Sequence, residues 1–140
     1  MSDFQLHQQL AQDCFKVGSF GLSELLIMND SQYPWFILAP RRANVKEIYQ
    51  LNTLDRQTLL NESCLLAEIL TDLYRPDKLN IAAIGNLVPQ LHLHHVVRYQ
   101  TDKSWPAPIW GKFASVPYAG DQLAQRATQV RVALSDHLIK

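Results

Sequence analysis

A long run of leucines with a helical period constrains this chain more than any other feature. Between positions 51 and 73, nine leucine and isoleucine side chains form one broad apolar stripe. Asn52 or Thr53 is the predicted N-cap, and Arg75 ends the helix because a residue before proline disfavours helical backbone. The stripe therefore predicts a helix that runs to Tyr74 and must bury its apolar side against another layer.

Short apolar runs bounded by turn residues predict strands on either side of this helix. Residues 22–28 and 35–39 form a predicted hairpin around the turn-prone stretch 29–31. Two more predicted strands, 79–84 and 91–99, follow the helix. The remaining predicted elements are an amphipathic helix capped by Ser2 or Asp3 and ending before Gly18, an ordered proline-rich loop over 105–111, and a closing helix within 120–140.

The order of these elements indicates the fold class. A hairpin, a helix and a further pair of strands are typical of an α+β domain around an antiparallel sheet. A chain of 140 residues is long enough to form one such domain with its own core. We therefore predict a single domain over residues 1–140, with an antiparallel sheet of about five strands, one long helix packed on it and helices at both ends.

Composition and charge exclude several classes of partner. Thirteen Lys and Arg balance thirteen Asp and Glu, so no overall positive field draws the chain to nucleic acid or anionic lipid. No apolar run approaches the length of about 20 residues that a membrane helix needs, and the first residues show no signal-peptide pattern. Cys14 and Cys64 form no paired motif, and we expect both to be small buried thiols in a reducing compartment. These features predict a cytoplasmic protein without a nucleic-acid or membrane partner.

Three of the five histidines fall within residues 92–95, next to Gln90. Side chains two positions apart on a strand share a face and lie about 6.5–7 Å apart along it. Gln90, His92 and His94 are therefore predicted to share one face. His95 is expected on the other face, either as a hydrogen-bonded core histidine, which is the favoured interpretation, or as a residue that supports the site histidines. The polar face could be an incidental solvated surface, although histidine is scarce and the matched positions favour a site.

Two chemical interpretations of the His92 and His94 pair stay open at this point. Their neutral nitrogens could bind Zn²⁺ or Fe²⁺, but such a site needs at least one further ligand, and Asp102 is the one carboxylate near the motif. Imidazole is also a nucleophile toward phosphorus and a proton donor near neutral pH. Clustered histidines can therefore carry out nucleotidyl transfer without a metal.

Residues 90–97, Gln-Leu-His-Leu-His-His-Val-Val, resemble the signature of the histidine-triad (HIT) superfamily, in which three histidines alternate and apolar residues follow. The run Trp-Phe-Ile-Leu-Ala-Pro-Arg-Arg at 35–42, the long helix and the strand that contains Asn80 stand in that family's order. The resemblance covers residues 18–100 and is closest to bacterial HIT proteins labelled diadenosine tetraphosphate hydrolases. It implies the HIT-like fold, a homodimer and no cofactor.

The resemblance also implies roles for individual residues. His92 takes the place of the central histidine, which attacks the α-phosphate and forms a nucleotidyl-histidine intermediate. His94 takes the place of the third histidine, which contacts the phosphate or leaving-group oxygens. Gln90 replaces the first, so it can donate a hydrogen bond to phosphate but cannot carry a proton. Ala43 stands where many family members have a further histidine.

Contacts to the substrate are implied at four more residues, each of which has an ordinary structural alternative. The ribose contact falls on Asn29 or Asp30, and both residue types are also common in turns. Asn80 and Asn86 flank the turn before the triad, where the family contacts phosphate. The tryptophans are expected to be packing groups, with Trp110 also a candidate for the ligand or dimer surface.

The resemblance, carried over to these residues, implies a hydrolase or nucleotidyl transferase. It would act at the α-phosphate of an adenylate-containing nucleotide, such as a dinucleoside polyphosphate or a nucleoside phosphoramidate. One alternative is a nucleotide-binding HIT protein with little or no turnover, because Gln90 and Ala43 alter two polar positions together. A further alternative is a metalloenzyme that uses His92 and His94.

Overall fold

Five antiparallel strands form one sheet in a computed structural model that describes residues 3–140. The strand order across the sheet is β1-β2-β3-β5-β4, and every neighbouring pair is antiparallel. The elements in chain order are α1 (Gln8–Asp13), β1 (Cys14–Ser19), β2 (Ser23–Met28), β3 (Trp35–Pro40), a 3-10 turn (Ile48–Gln50), α2 (Thr53–Tyr74), β4 (Lys78–Ala82), β5 (Leu93–Arg98) and α3 (Gln122–Ala133). The α+β fold predicted from the sequence is confirmed.

The long helix has the bounds that its leucine stripe predicts. Asn52 is the N-cap, and its side-chain oxygen accepts a hydrogen bond from the backbone N–H of Asp55 at 2.8 Å. The helix ends after Tyr74 because Arg75 adopts left-handed backbone with φ of 49°. A capped start and a defined end keep the buried face of α2 in one register against the sheet.

The main core lies between α2 and the face of the sheet that turns toward it, which we call the back face. The back face supplies side chains from all three central strands, and full burial of each contributes about 1.5–3 kcal/mol. The fully buried members of this core from the strands and α2 are Leu25, Ile27, Phe36, Leu38, Val97, Leu66 and Leu70. Helix α3 closes the core at one end with Ala127 and Val130.

The opposite, front face is covered only in part. Helix α1 places Leu10 against Leu26 and Ile37 at one side. At another side, Tyr33 and Ile109 bury Val96 of β5 beneath the loop that follows this strand. The part of the front face between these two clusters holds the end of β5 where the histidines lie.

The first predicted helix is shorter than expected. The structure turns residues 14–19 into strand β1, where Cys14 pairs with Met28 and Phe15 with Ile27. Pairing with β2 satisfies the backbone N–H and C=O groups of these residues through the sheet. The spacing of apolar residues along the sequence does not indicate this pairing. His7, and not Asp3, caps the helix, and the other predicted cap, Ser2, lies outside the described residues.

Two smaller expectations also need correction. Cys64 is exposed on α2 and Cys14 is only half-buried, so neither is the buried thiol expected from its apolar neighbours in sequence. Strand β5 starts at Leu93 and not at Leu91, which leaves His92 on the extended segment just before the strand. Within residues 3–140, none of the helices has the length and apolar character needed to cross a membrane.

Candidate functional site

The histidine cluster lies in the middle of the sheet. Strand β5 pairs with β3 on one side and β4 on the other, so that His94 lies between Ile37 and Ala82. The backbone N–H of Leu91 donates to the carbonyl of Val45 at 2.9 Å and ties the segment before β5 to the loop after β3. The rings of His92 and His94 have centroids 4.8 Å apart and meet at 69°. His92 and His94 therefore share one face, as predicted.

A backbone carbonyl determines the proton position on His92. Its Nδ1 lies 2.7 Å from the carbonyl oxygen of Gln90, and a carbonyl can only accept, so Nδ1–H is the donor. The neutral ring then carries its lone pair on Nε2. Burial lowers the pKa of His92 and keeps this ring unprotonated near neutral pH. His92 is thus a neutral imidazole with one nucleophilic nitrogen available.

His94 has the opposite tautomer because its partner is a donor. The indole Nε1–H of Trp35 donates to Nδ1 of His94 at 2.9 Å, so the proton of the neutral ring is on Nε2. Burial, with contributions from His92 and His95, lowers the pKa of His94 to about 3. The two front-face histidines therefore present one lone pair and one N–H group.

His95 lies on the back face, as its position in the strand predicts. It is fully buried, its Nδ1–H donates to the carbonyl of Leu93 at 3.1 Å, and its Nε2 accepts from the Ser63 hydroxyl of α2 at 2.7 Å. Burial lowers its pKa to about 4. The prediction of a hydrogen-bonded core histidine is confirmed by these contacts.

A buried ion pair holds the loop after β5 over the front face. Arg98 is 1% exposed and donates to Asp102 through Nε at 2.8 Å and Nη2 at 3.1 Å. Its Nη2 also donates to the carbonyl of Ala107 at 2.8 Å. Burial favours protonation of Asp102, but Arg98 and three backbone N–H groups outweigh it and lower its pKa. The loop is thereby fixed above the strand.

This loop brings a second tryptophan to the site. The ring of Trp110 lies 5.4 Å from His94 and 6.4 Å from Trp35, measured between centroids. Its indole Nε1 is buried and has no hydrogen-bond partner among the described residues. His94 is therefore enclosed by two indoles, of which one donates to it.

Gln90 does not leave its amide free toward the histidines. The side-chain oxygen accepts from the backbone N–H of His7 at 2.9 Å, and the side-chain nitrogen donates to the carbonyl of Gln5 at 2.8 Å. Both polar atoms of the amide thus have partners in the segment before α1.

The structure separates the two candidates for ribose binding. Asp30 is 3% exposed, and its Oδ1 accepts from the backbone and side chain of Gln32 and from the backbone N–H of Val116. Asn29 is half-buried, and its Oδ1 accepts from the backbone N–H of Tyr118 at 3.0 Å. Its amide nitrogen makes no hydrogen bond within residues 3–140, which leaves a donor at this position.

The two candidates for phosphate contacts have different surroundings. Asn80 on β4 accepts from Arg98 Nη1 at 2.7 Å, so its side-chain oxygen belongs to the buried ion-pair cluster. Asn86 is exposed in the β4–β5 loop, and its side chain makes no hydrogen bond to any described residue. Ala43 lies exposed in the loop after β3.

One depression opens at His92 and another at Trp35. The first lies between the loop after β3 and the β4–β5 loop, and the second adjoins Trp35. The first is lined by Lys46, Glu47, Ala83, Ile84, Gly85, Pro89, Gln90, Leu91 and His92. The second is lined by Gln12, Asp13, Met28, Asn29, Trp35, Ser115 and Pro117. The first depression therefore reaches His92 directly, and the second reaches Trp35, the indole partner of His94.

The metal interpretation lacks a third ligand in the part of the chain that the structure describes. No group of three or more His, Cys, Asp or Glu side chains there could hold a metal ion. Asp102, the carboxylate near the motif, is bound to Arg98. The donor set around His92 and His94 therefore does not favour a metal centre.

Sequence reasoning missed the role of Trp35. It was expected to be a packing group, yet its indole determines the tautomer of a histidine 59 positions away. The pairing of Ile37 with His94 brings the two together, and nothing in the local sequence indicates that pairing.

The geometry of paired neutral imidazoles agrees with a family match. Residues 9–101 match the HIT domain family, which is more than half of the chain. The chain belongs to the HIT domain family. HIT proteins are nucleotide-binding hydrolases or transferases, so the two histidines lie in a nucleotide-binding fold.

Solved structures of bacterial histidine-triad proteins are similar to this HIT chain over nearly its whole length. A histidine triad protein from Marinobacter aquaeolei VT8 is 48% identical, with a TM-score of 0.92, over 96% of this chain and 98% of that one. One from Sinorhizobium meliloti 1021 is 36% identical, with a TM-score of 0.91, over 94% and 98%. One from Bradyrhizobium japonicum is 35% identical, with a TM-score of 0.90, over 93% and 97%. Among curated proteins there is no match.

Proposed function

We propose that this HIT protein hydrolyses or transfers at the α-phosphate of an adenylate-containing nucleotide. The observation that carries the proposal is the pair of complementary tautomers. His92 offers a lone pair on Nε2, and His94, whose ring is 4.8 Å away, offers an N–H group. A nucleophile next to a fixed donor is the arrangement that substitution at phosphorus requires.

The reaction proceeds in two displacements at phosphorus. His92 Nε2 forms a bond to the α-phosphorus as the bond from phosphorus to the leaving-group oxygen or nitrogen breaks and its electron pair stays on the leaving group. The oxygen of a water molecule then forms a bond to the phosphorus, the P–N bond breaks with its electron pair returning to Nε2, and the proton that the water loses passes to the solvent. The N–H of His94 stabilises oxygens on which negative charge increases.

The proposal places the substrate in the two depressions at His92 and at Trp35. The nucleoside occupies the depression beside Trp35, where Asn29 has a free amide donor for the ribose. Asp30 is the weaker candidate because its carboxylate already accepts three hydrogen bonds. The leaving group occupies the other depression, beside Asn86. Asn80 contributes through its hydrogen bond to Arg98.

A second candidate function is nucleotide binding with little turnover. It is favoured by one observation: Gln90, which stands at the first triad position, has both amide atoms on the amino-terminal backbone. A donor that the family places beside the phosphate is then not supplied by this side chain.

We also propose a homodimer in the cytoplasm. The side of the molecule formed by α2, the 3-10 turn and edge strand β4 exposes apolar side chains, among them Ile48, Leu60 and Ile81. A contiguous exposed apolar patch indicates an interaction surface, and a second copy of the chain fits the resemblance to HIT proteins. Free Cys14 and Cys64 suit a reducing compartment.

The proposal is tested by intact-mass spectrometry of an acid-quenched reaction. Wild type, His92→Ala and the control His137→Ala are mixed with adenosine 5′-phosphoramidate or diadenosine tetraphosphate, and AMP release is followed in parallel. His137 is exposed near the carboxyl terminus, so its replacement leaves the site intact. We expect an adenylate adduct and AMP release in wild type and His137→Ala, and neither in His92→Ala. Native mass spectra of the same proteins, recorded without the acid quench, report the dimer.

Other results would change the assignment. Nucleotide binding without adduct or AMP release in wild type would favour the binding protein. AMP release that persists in His92→Ala would exclude His92 as the nucleophile. Wild type that neither binds nor turns over nucleotide would restrict the family relation to the fold.

A further inference from the structure

Gln90 connects the nucleophile with the beginning of the chain. Its carbonyl accepts from Nδ1–H of His92, while its side chain holds the backbone N–H of His7 and the carbonyl of Gln5. Two hydrogen bonds of 2.9 and 2.8 Å to one short segment define where that segment lies. The residue that replaces the first triad histidine thus holds another histidine in place.

The imidazole of His7 has a defined proton position. Its Nδ1 accepts from the backbone N–H of Gln9 at 3.0 Å, as the N-cap of α1. Because Nδ1 accepts, the proton of the neutral ring is on Nε2. The ring is half-buried and its Nε2–H makes no hydrogen bond within residues 3–140. His7 therefore has an unused donor.

This donor lies on the side of the sheet where the reaction would occur. Leu10 of α1 packs on Leu26 and Ile37 of the front face, and Ile37 is the strand partner of His94. The backbone of His7 is bonded to the side chain of Gln90, and the carbonyl of Gln90 accepts from the His92 ring, so both histidines are attached to the same residue. The segment before α1 and the histidine pair therefore share one surface.

We propose that His7 supplies the imidazole that the triad lacks at position 90, and that its Nε2–H donates a hydrogen bond to an oxygen of the reacting phosphate. The proposal rests on the proposed function. Gln90 is then a positioning residue, which holds the His7 backbone and the His92 ring. In the first displacement, His7 transfers no proton: negative charge moves onto phosphate and leaving-group oxygens, and a fixed N–H stabilises it.

The decisive variant keeps the helix cap and removes the donor. Asn is a favoured N-cap residue, so in His7→Asn the shorter side chain can still accept from Gln9 but loses the ring Nε2–H. His7→Ala removes both cap and donor, and His137→Asn is the control at an exposed histidine. The rate of adenylate-adduct formation and the dissociation constant for AMP are measured for each protein, with circular dichroism as the check on folding.

We expect His7→Asn to form the adduct about 10²-fold more slowly than wild type, the usual effect of removing one donor to a developing charge. Binding of AMP, a ground-state ligand, should change far less. His7→Ala should slow adduct formation by the same factor and should also lower the stability of the fold. His137→Asn should match wild type in both. An unaltered binding constant with a slower chemical step distinguishes a donor from a structural cap.

A wild-type rate in His7→Asn would overturn the inference and leave the proposed function intact. If the wild-type protein forms no adduct and releases no AMP, both the inference and the proposed function are overturned. If His7→Asn does not fold, the ¹⁵N spectrum of wild type decides: the inference requires a His7 Nε2–H signal that shifts when AMP binds. A signal that does not move would contradict it.

Discussion

His94 and His95 are adjacent in sequence and have opposite surroundings. His94 faces the front of the sheet, between the indoles of Trp35 and Trp110 and beside His92. His95 faces the back, fully buried against Ser63 of α2. Burial lowers the pKa of both rings, to about 3 and about 4, so their charge state does not separate them.

The difference lies in what each ring leaves unused. Both nitrogens of His95 have partners, in the Leu93 carbonyl and the Ser63 hydroxyl, so this ring has nothing to offer a ligand. His94 has one partner, Trp35, and keeps an N–H available. A lowered histidine pKa therefore indicates burial. To assign a function, one must also ask which ring nitrogens have no hydrogen-bond partner.

The largest expected effect is that replacing His95 mainly lowers stability, whereas replacing His94 mainly lowers the rate of reaction. His95→Ala should lower the free energy of unfolding by about 2–4 kcal/mol, because it leaves a cavity and an unsatisfied Ser63 hydroxyl. His94→Ala should cost less, since water can enter from the site, but should slow adduct formation by about 10²-fold. Urea unfolding and adduct rates of both variants measure this. Equal losses of stability would remove the distinction between the faces.

The next prediction concerns pH. An unfolded chain protonates His95 near its ordinary pKa of 6.5, whereas the folded chain does so only near about 4. The unfolded state therefore binds more protons in this window, and acid destabilises the fold, by about 2 kcal/mol for this residue between about pH 7 and about pH 5. Burial raises the pKa of Glu62, which acts in the opposite direction as pH falls. The difference between wild type and His95→Asn in urea unfolding isolates His95, and parallel pH curves for the two would refute this.

The smallest predicted effect sharpens the role of Trp35. Trp35→Phe keeps an aromatic ring beside His94 but removes the N–H that fixes its tautomer. Losing one hydrogen bond of about 1 kcal/mol should slow adduct formation by about fivefold. Trp110→Phe is the matched control, because the indole N–H of Trp110 has no partner among the described residues. Equal rates for the two variants would show that the tautomer of His94 is irrelevant.

Periodicity predicts much of the frame that holds the site. The leucine stripe and Asn52 determine α2, and strand alternation assigns His92 and His94 to one face and His95 to the other. These features are local, since each depends on neighbours within a few residues. Local patterns of residue type are therefore enough to predict them.

Contacts between distant segments cannot be predicted from such local patterns. Residues 14–16 have an apolar spacing that a helix could use, but pairing with β2 makes them a strand. Gln90 meets Gln5 and His7 across more than 80 positions, and Trp35 meets His94 across 59. The sequence therefore predicts which face of the sheet each histidine lies on. It does not predict their tautomers, which depend on these distant partners.

The carbonyl that holds His92 has a consequence for how this sequence can change over time. Every amino acid carries a backbone carbonyl, so no substitution at position 90 deletes the acceptor that orients the His92 ring. The side chain at that position can drift from histidine to glutamine while the nucleophile keeps its tautomer. Loss of one triad member is then compatible with continued selection on the other two.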